Sequence, residues 1–348
     1  MANIVITDVC NLRCPYCFAN EFVNQDANEI SMENYRTAKN FILTKDSGLG
    51  LIGGEPLLHS HFREILQDLI YDDRVQKVTI FTNGIHCNEY IDEFSNEKFR
   101  FLINCNPPSD TGRHNFDRMV ENLELMIRGR YMKKRISLGI NMYRPDFEYD
   151  YLVSLLEKYH FDHVRVSITV PNTEQTEENH GEEVFRYFNE IKPRMMEFFN
   201  LLLSKGIRPH YDCNKLPSCL LRDEDYALLK ENLTAVLHGG KPHPNDAEVV
   251  RCHPVVDILQ DLTAIRCFGL SRYTRTDIRN FGNLEELREY YKRTIDAYAC
   301  NTAYHKDCIS CNKRLNSKCY GGCLAYKIGD IVRMQEYSRK LMESGSKQ

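Results

Sequence analysis

The sequence predicts an α/β chain: six βα units curled into a partial barrel, then a small, irregular, cysteine-rich α+β domain. Three observations carry this. Apolar runs of strand length alternate with helix-period stretches from residue 3 to residue 170. Short polar or glycine-bearing motifs follow several of the strand-like runs directly, as expected where loops at the C-terminal ends of parallel strands converge on one mouth. Nine of the fourteen cysteines fall between residues 213 and 323, beyond the last βα unit. Six units are too few to close an eight-fold barrel, so an open, curved sheet fits.

In chain order, residues 3–7 read as a buried strand running into a loop that holds Cys10, Cys14 and Cys17. Ser31 is an N-cap for a helix marked by Met32, Tyr35, Ala38, Phe41 and Ile42. A strand at 49–52 ends in Gly53-Gly54-Glu55-Pro56. Phe62, Ile65, Leu66, Leu69 and Ile70 give an i, i+3, i+4, i+7, i+8 helix face. The strand at 78–81 ends at Thr82-Asn83-Gly84, and the one at 101–103 at Asn104-Cys105-Asn106. Phe116, Met119, Val120, Leu123 and Ile127 line the next helix, which leads to a strand at 136–142. Leu152, Leu155, Leu156 and Tyr159 mark a short helix before the strand at 164–170. Residues 173–183 are polar and acidic, a solvated linker, and 185–203 read as one longer helix. The expected organisation is a partial barrel at 1–172, linker and bridging helix at 173–206, a cysteine-rich domain at 207–330 and a tail at 331–348 with helical character.

Composition excludes several classes. At 42% apolar and 27% charged, the 348 residues match an ordinary globular protein with enough length for a sizeable core. A formal net charge of −4 gives no reason to expect nucleic acid or an anionic membrane as partner. There is no Lys/Arg-plus-apolar leader and no apolar run of about 20 residues, so a soluble, cytoplasmic protein is expected. Fourteen cysteines without a secretory leader point to metal binding rather than a disulfide framework.

The run VCNLRCPYCF carries most of the chemistry. Its C-x3-C-x2-C spacing can place three thiolates around one inorganic cluster, and because a [4Fe–4S] cluster normally takes four cysteines, one iron would stay open. Part of a zinc site, or buried thiols with no ligand, are the plainer alternatives. The run resembles the CxxxCxΦC signature of the radical S-adenosylmethionine (SAM) enzymes, with Tyr16 as the aromatic Φ. The resemblance implies a (β/α)6 partial barrel. It implies a cluster whose open iron chelates the amino and carboxylate groups of SAM, and reductive cleavage to a 5′-deoxyadenosyl radical. Gly53, Gly54, Glu55 and Pro56 resemble that family's GGEP motif, which contacts the methionine amino group. The glycines permit close backbone approach and φ > 0, and Glu55 can accept a charge-assisted bond from an ammonium. By position, Thr82, Asn83, Asn141 and Ser167 are the implied ribose and adenine contacts, and Tyr16 stacks near the adenine.

The second cysteine territory pairs Cys308-x2-Cys311-x7-Cys319-x3-Cys323 with Cys252-x14-Cys267, a hairpin with a thiolate at each end. Together these resemble the SPASM/twitch extension of radical SAM enzymes, including its C-x-G-G-C ending, and so imply one or two auxiliary [4Fe–4S] clusters. The sequence departs from that pattern: no cysteine follows Cys323, and the C-x7-C gap is longer than usual. Cys300, a non-cysteine ligand or an open site would complete the second cluster, and Cys213, Cys219 or both the first. One cluster plus a zinc site is the alternative. Cys87 and Cys105 stand apart. Buried free cysteine usually serves as a small hydrophobe, but Cys105 follows the fourth strand and could donate a hydrogen atom to a substrate radical, as in peptide epimerases of this superfamily.

The resemblance extends to peptide (RiPP) maturases and anaerobic sulfatase-maturating enzymes. It implies modification of a ribosomally made peptide by a thioether or carbon–carbon crosslink, or by side-chain oxidation. The implied partners are a precursor peptide, a flavodoxin- or ferredoxin-type electron donor and, as no winged-helix recognition domain precedes Cys10, a separate peptide-recognition protein. A radical SAM dehydrogenase or epimerase acting on a small molecule or single residue is the nearest alternative, and a non-catalytic iron–sulfur electron carrier the alternative from another class.

Overall fold

A computed structural model describes residues 1–17, 19–20, 22–24, 26–169, 180–211, 218–220, 224–225, 255–271, 275–297, 305–316 and 323–324. Its centre is one ten-stranded sheet in the order β10-β9-β8-β1-β2-β3-β4-β5-β6-β7. The strands β1 (Ala2–Val5), β2 (Gly48–Ile52), β3 (Lys77–Thr82), β4 (Phe99–Asn104), β5 (Ile136–Met142), β6 (His163–Ile168) and β7 (Arg208–Tyr211) are parallel neighbours in sequence order. Five helices cross between them: α1 (Met32–Ile42), α2 (Phe62–Tyr71), α3 (Arg113–Glu124), α4 (Asp150–Lys158) and α5 (His180–Ser204). Only a short 3-10 and helical segment over residues 87–94 joins β3 to β4.

The expected alternation is present, with a seventh parallel strand beyond the six predicted. β7 has only four residues and contains Pro209, which weakens its strand signal. A proline is tolerated there because β7 is the edge of the sheet and one side of the strand needs no ladder donor. Of the solvated linker expected at 173–183, residues 173–179 lie outside the described residues, as does the expected tail helix, and residues 180–183 belong instead to α5, which starts at His180. Ser31 caps α1, its hydroxyl accepting from Asn34 N at 3.1 Å.

Strand alternation separates two faces. Phe99, Phe101 and Ile103 of β4, Ile136, Leu138 and Ile140 of β5, and Val164, Val166 and Ile168 of β6 belong to the core shared with the helices. The intervening residues line the concave side. Asn104, Gly139 and Arg165 stand in one row by strand register, and Asn141 and Ser167 in the next. The lining is therefore polar on the β4–β6 side.

On the other flank, β8 (Asp257–Ile258) pairs parallel with β1, then antiparallel with β9 (Thr263–Ile265), which pairs with β10 (Thr276–Asp277). The hairpin predicted before Cys267 is thus an extension of the barrel sheet itself. A sixth helix, α6 (Leu284–Tyr291), docks on the connection between α1 and β2, with Arg288 paired to Asp46 at 2.6 Å and Leu284 N donating to Thr44 Oγ1 at 3.1 Å. Among the described residues no helix is long and apolar enough to cross a membrane.

Candidate active site at the barrel mouth

The chain leaves β1 into the cysteine loop, and the loop's base is closed by backbone bonds: Ile6 N to Ile52 O, Ile30 N to Ile6 O and Asp8 N to Asn28 O, each 2.8 Å. Asn24 ties the loop from the far side. Its Oδ1 accepts from Cys10 N at 2.8 Å and its Nδ2 donates to Cys10 O at 3.1 Å. Asn24 does so from the left-handed region, φ 58°, which asparagine tolerates. Cys17 N donates to Cys14 O at 3.0 Å, a tight turn that brings the second and third cysteines to one side. Leu12 N lies 3.4 Å from Cys10 Sγ, and Asn106 Nδ2, from the end of β4, lies 3.2 Å from Cys14 Sγ.

All three thiols are half-buried. Burial pushes the Cys10 thiol up to about 11, with the neighbouring charges of Glu55 and Cys17 adding to it; burial, then Cys10 and Cys17, pushes Cys14 up to about 12. Burial raises Cys17 as well. Thiols in this environment hold their protons at neutral pH, and bound metal is what takes those protons off. Among the described residues no three His, Cys, Asp or Glu side chains converge on a point as a single-ion site requires. In a cubane cluster each thiolate binds a different iron, so the ligands surround a volume instead. Three thiols on one loop, with amide donors on two of the sulfurs, fit that group.

Gly53-Gly54-Glu55-Pro56 packs directly beneath this loop. Gly54 N donates to Thr7 O and Glu55 N to Val9 O, both at 2.8 Å. A Cβ on Gly53 would lie 2.3 Å from Thr7 O, and one on Gly54 2.4 Å from Val9 O. Neither glycine has positive φ. Of the two freedoms that glycine permits, it is close approach that is used here, and what the glycines approach is the backbone of the cysteine loop. Glu55 is buried, with Oε1 accepting from Thr82 Oγ1 (2.7 Å) and Leu57 N (3.3 Å), and Oε2 from Asn83 N (2.8 Å). Burial raises its pKa against these bonds. Three of roughly four acceptor positions are engaged, so Glu55 brackets the ends of β2 and β3 and keeps one lone pair for a further donor.

The remaining predicted contacts surround the same mouth. Thr82 is buried, its hydroxyl bonded to Glu55 and accepting from Gly84 N at 3.0 Å, which leaves it a structural role. Asn83 Nδ2 reaches Asn11 Oδ1 inside the cysteine loop at 2.8 Å, and Asn11 in turn lies 3.3 Å from His86 Nε2. Asn141 accepts from Ser167 Oγ (2.6 Å) and Arg165 Nη1 (2.8 Å). Tyr16 packs against Tyr143, ring centroids 5.1 Å apart, and its hydroxyl donates to Asn106 Oδ1. Asn106, Tyr143, Arg165, Asn11 and Asn24 escaped the sequence reading. Asn106 alone had a legible signal, since it closes a strand-end motif.

Cys105 does not share this mouth. It continues the alternation of Phe101 and Ile103 on the helix-facing side, is 1% exposed, and its thiol lies 3.7 Å from Ile103 O. Burial pushes its pKa up to about 12. Asn104 and Asn106 are the neighbours that face the concave side. Cys87 is likewise enclosed in the core. In the second territory, Cys213, Cys252, Cys300 and Cys319 lie outside the described residues. Cys267 follows β9, with its carbonyl accepting from Leu270 N at 3.0 Å. Cys308 and Cys311 share a tight turn, Cys311 N to Cys308 O at 3.4 Å, ahead of a short helix at Asn312–Leu315. Cys219 is exposed and Cys323 half-buried.

Comparison with known proteins agrees with this geometry. Residues 4–130 match the model of the Radical SAM superfamily. Over 95 residues the chain is 30% identical to the GTP 3′,8-cyclase of Clostridium perfringens, covering 26% of this chain and 29% of that protein. Over 93 residues it is 32% identical to the GTP 3′,8-cyclase of Vibrio cholerae, covering 26% and 28%. The chain thus spans less than a third of the length of these relatives. Among solved structures, Streptococcus suis SuiB bound to S-adenosylmethionine superposes with a TM-score of 0.59 at 14% identity, covering 93% of this chain and 72% of SuiB. SuiB bound to precursor peptide SuiA gives 0.60 at 15% identity, covering 93% and 71%. At that identity the likeness is one of fold. The residues that match the Radical SAM superfamily model, 4–130, hold the cysteine loop at the end of β1 and the parallel strands β2, β3 and β4 beside it.

Proposed function

We propose that this protein is an enzyme that cleaves SAM reductively and takes a hydrogen atom from a ribosomally made peptide, leading to a thioether or carbon–carbon crosslink or an oxidised side chain. The observation that carries the first half is the cysteine loop at the barrel mouth, hydrogen-bonded at Thr7 and Val9 to Gly54 and Glu55. Cys10, Cys14 and Cys17 would hold a [4Fe–4S] cluster with one open iron, which supplies the electron for cleavage of the sulfonium when bound. Gly53 and Gly54 set the loop's distance from β2, Glu55 offers its remaining lone pair to an ammonium, and Asn83 fixes the loop through Asn11. Asn141, Ser167 and Arg165 line the concave wall as hydrogen-bonding partners for a polar ligand. Tyr16 and Tyr143 supply aromatic faces beside it.

The peptide half is supported by the fold likeness to SuiB, one of whose structures holds a precursor peptide. The cysteines at 213, 219, 252, 267, 300, 308, 311, 319 and 323 would hold one or two auxiliary [4Fe–4S] clusters, with domain limits as the sequence sets them. A flavodoxin- or ferredoxin-type donor would supply the electron, and a separate recognition protein would present the peptide. A small-molecule substrate is the second reading, favoured by the identity to GTP 3′,8-cyclases. The test is anaerobic reconstitution followed by incubation with SAM and dithionite. The wild type is expected to release 5′-deoxyadenosine, and a Cys10/Cys14/Cys17→Ala variant to release none and to hold about four fewer irons per chain. About twelve irons falling to about eight would mean two auxiliary clusters, and about eight falling to four a single one. Iron content unaffected by the triple substitution would refute the proposal. Mass change in a candidate peptide, against none in nucleotides, separates the two substrate readings.

A further inference from the structure

The three cysteine sulfurs are not equivalent. Cys10 takes its donor from the loop's own backbone, Leu12 N. Cys14 takes a side-chain amide from across the barrel, Asn106 Nδ2 at 3.2 Å, ninety-two positions along the chain. Asn106 is 5% exposed, and its amide can face the sulfur in only one sense. A metal-bound thiolate is acceptor-only, so the NH2 end must point to it and the oxygen must find a donor elsewhere. That donor is the Tyr16 hydroxyl. The donors therefore run in one direction, from the Tyr16 hydroxyl through Asn106 to Cys14, and bonds aligned this way polarise one another.

We propose that Asn106 is a positioning residue that donates to the Cys14 sulfur and raises the reduction potential of the cluster, held in that orientation by a relay from the Tyr16 hydroxyl. This rests on the reading of Cys10, Cys14 and Cys17 as cluster ligands. One-electron reduction adds negative charge that is shared by the ligand sulfurs, so a donor at a sulfur stabilises the reduced form more than the oxidised one. The aligned Tyr16 and Asn106 donors strengthen that preference in a partly buried site.

The experiment is a dithionite titration followed by electron paramagnetic resonance on anaerobically reconstituted wild type, Asn106→Leu and Tyr16→Phe, with iron measured on each. The signal of interest is the one missing from the Cys10/Cys14/Cys17→Ala variant. Asn106→Leu is expected to keep the wild-type iron content and to titrate at lower potential, with Tyr16→Phe shifted the same way by less. An unchanged midpoint in Asn106→Leu at full iron overturns the inference. If Asn106→Leu loses iron, Tyr16→Phe decides, because it removes the hydroxyl and keeps the ring against Tyr143: a lowered midpoint supports the relay and an unchanged one overturns it. A wild type with no iron on the three cysteines refutes the parent reading instead.

Discussion

Replacing Asp257 with asparagine should stabilise this protein above neutral pH and flatten its pH dependence. Asp257 faces Asn3 across the seam between β8 and β1, 2% exposed, and accepts from Asn3 Nδ2 at 2.7 Å. Burial, opposed in part by that bond, pushes its carboxyl from the ordinary 3.8 up to about 7. Beside it Asn3 Oδ1 is buried without a donor, lying over Gly50, where a Cβ would come within 2.0 Å of it. A carboxylate has nothing to offer that oxygen, whereas a protonated acid or an amide has an N–H or O–H. In the unfolded chain Asp257 ionises near 3.8. Its contribution to stability is therefore complete below that pH, declines as pH rises toward 7, and levels off above. The interval between 3.8 and about 7 corresponds to roughly 4 kcal/mol, of which about 2 kcal/mol is lost between pH 5 and pH 7. Asp257→Asn carries no charge to bury and should exceed the wild type by roughly 2–4 kcal/mol at pH 8 and by about half that at pH 5. Urea unfolding at pH 5, 6, 7 and 8, followed by circular dichroism since the chain has no tryptophan, measures this. Parallel curves for the two proteins across that range, or a variant weaker than wild type at pH 8, would refute the reasoning.

Three further perturbations follow from the packing. Gly54→Ala drives a methyl to 2.4 Å from Val9 O, a backbone atom that cannot yield without moving the cysteine loop; we expect a loss of roughly 1–3 kcal/mol and about four irons per chain, and full iron would contradict it. Lys39→Met removes the ammonium held 2.6 Å from Asp68 and 2.9 Å from Asp72 between α1 and α2. With Lys39 almost fully buried and the aspartates partly exposed, the cost should be roughly 2–3 kcal/mol in urea unfolding, and less than about 1 would show that water replaces it. Cys105→Ala should cost roughly 1 kcal/mol and leave 5′-deoxyadenosine release intact; peptide modification lost while SAM cleavage persists would place the thiol in the chemistry.

What was legible in the sequence was whatever is written locally. The βα alternation, the Ser31 cap and the Cys10–Cys17 loop each depend on residues within a few turns of one another, and each appears where expected. The glycine pair was recognised but its reason was not, because Gly53 and Gly54 answer to Thr7 and Val9, whose carbonyls leave no trace in residue type. β7 was missed because an edge strand with a proline has no alternation to display. Asn106 and Cys105 are neighbours with opposite fates. Strand parity sends one to the sulfur and the other to the core, and parity can be counted only once the strand's end is fixed.

β1 joins the two halves of the problem. It pairs with β2 on one side, delivering the glycines, and with β8 on the other, delivering the hairpin that precedes Cys267. The hairpin turn then reaches the cysteine loop itself: Gln260 Nε2 donates to Asp8 Oδ1 at 2.7 Å, and Asn34 Nδ2 to Gln260 O at 2.9 Å. Leu259, Ile265 and Phe268 form one apolar cluster with Val5 and Ile52, against which Cys17 and Phe22 pack. Phe22 meets Phe268 edge to face, and the Arg275 guanidinium lies over the Phe22 ring, 5.2 Å from its centroid. Residues so packed do not respond independently, because neighbours that share a cluster couple energetically. The loop bearing Cys10, Cys14 and Cys17 is thus walled on one side by residues 259–268, and the neighbourhood of Cys267 is part of the scaffold that sets the loop's position.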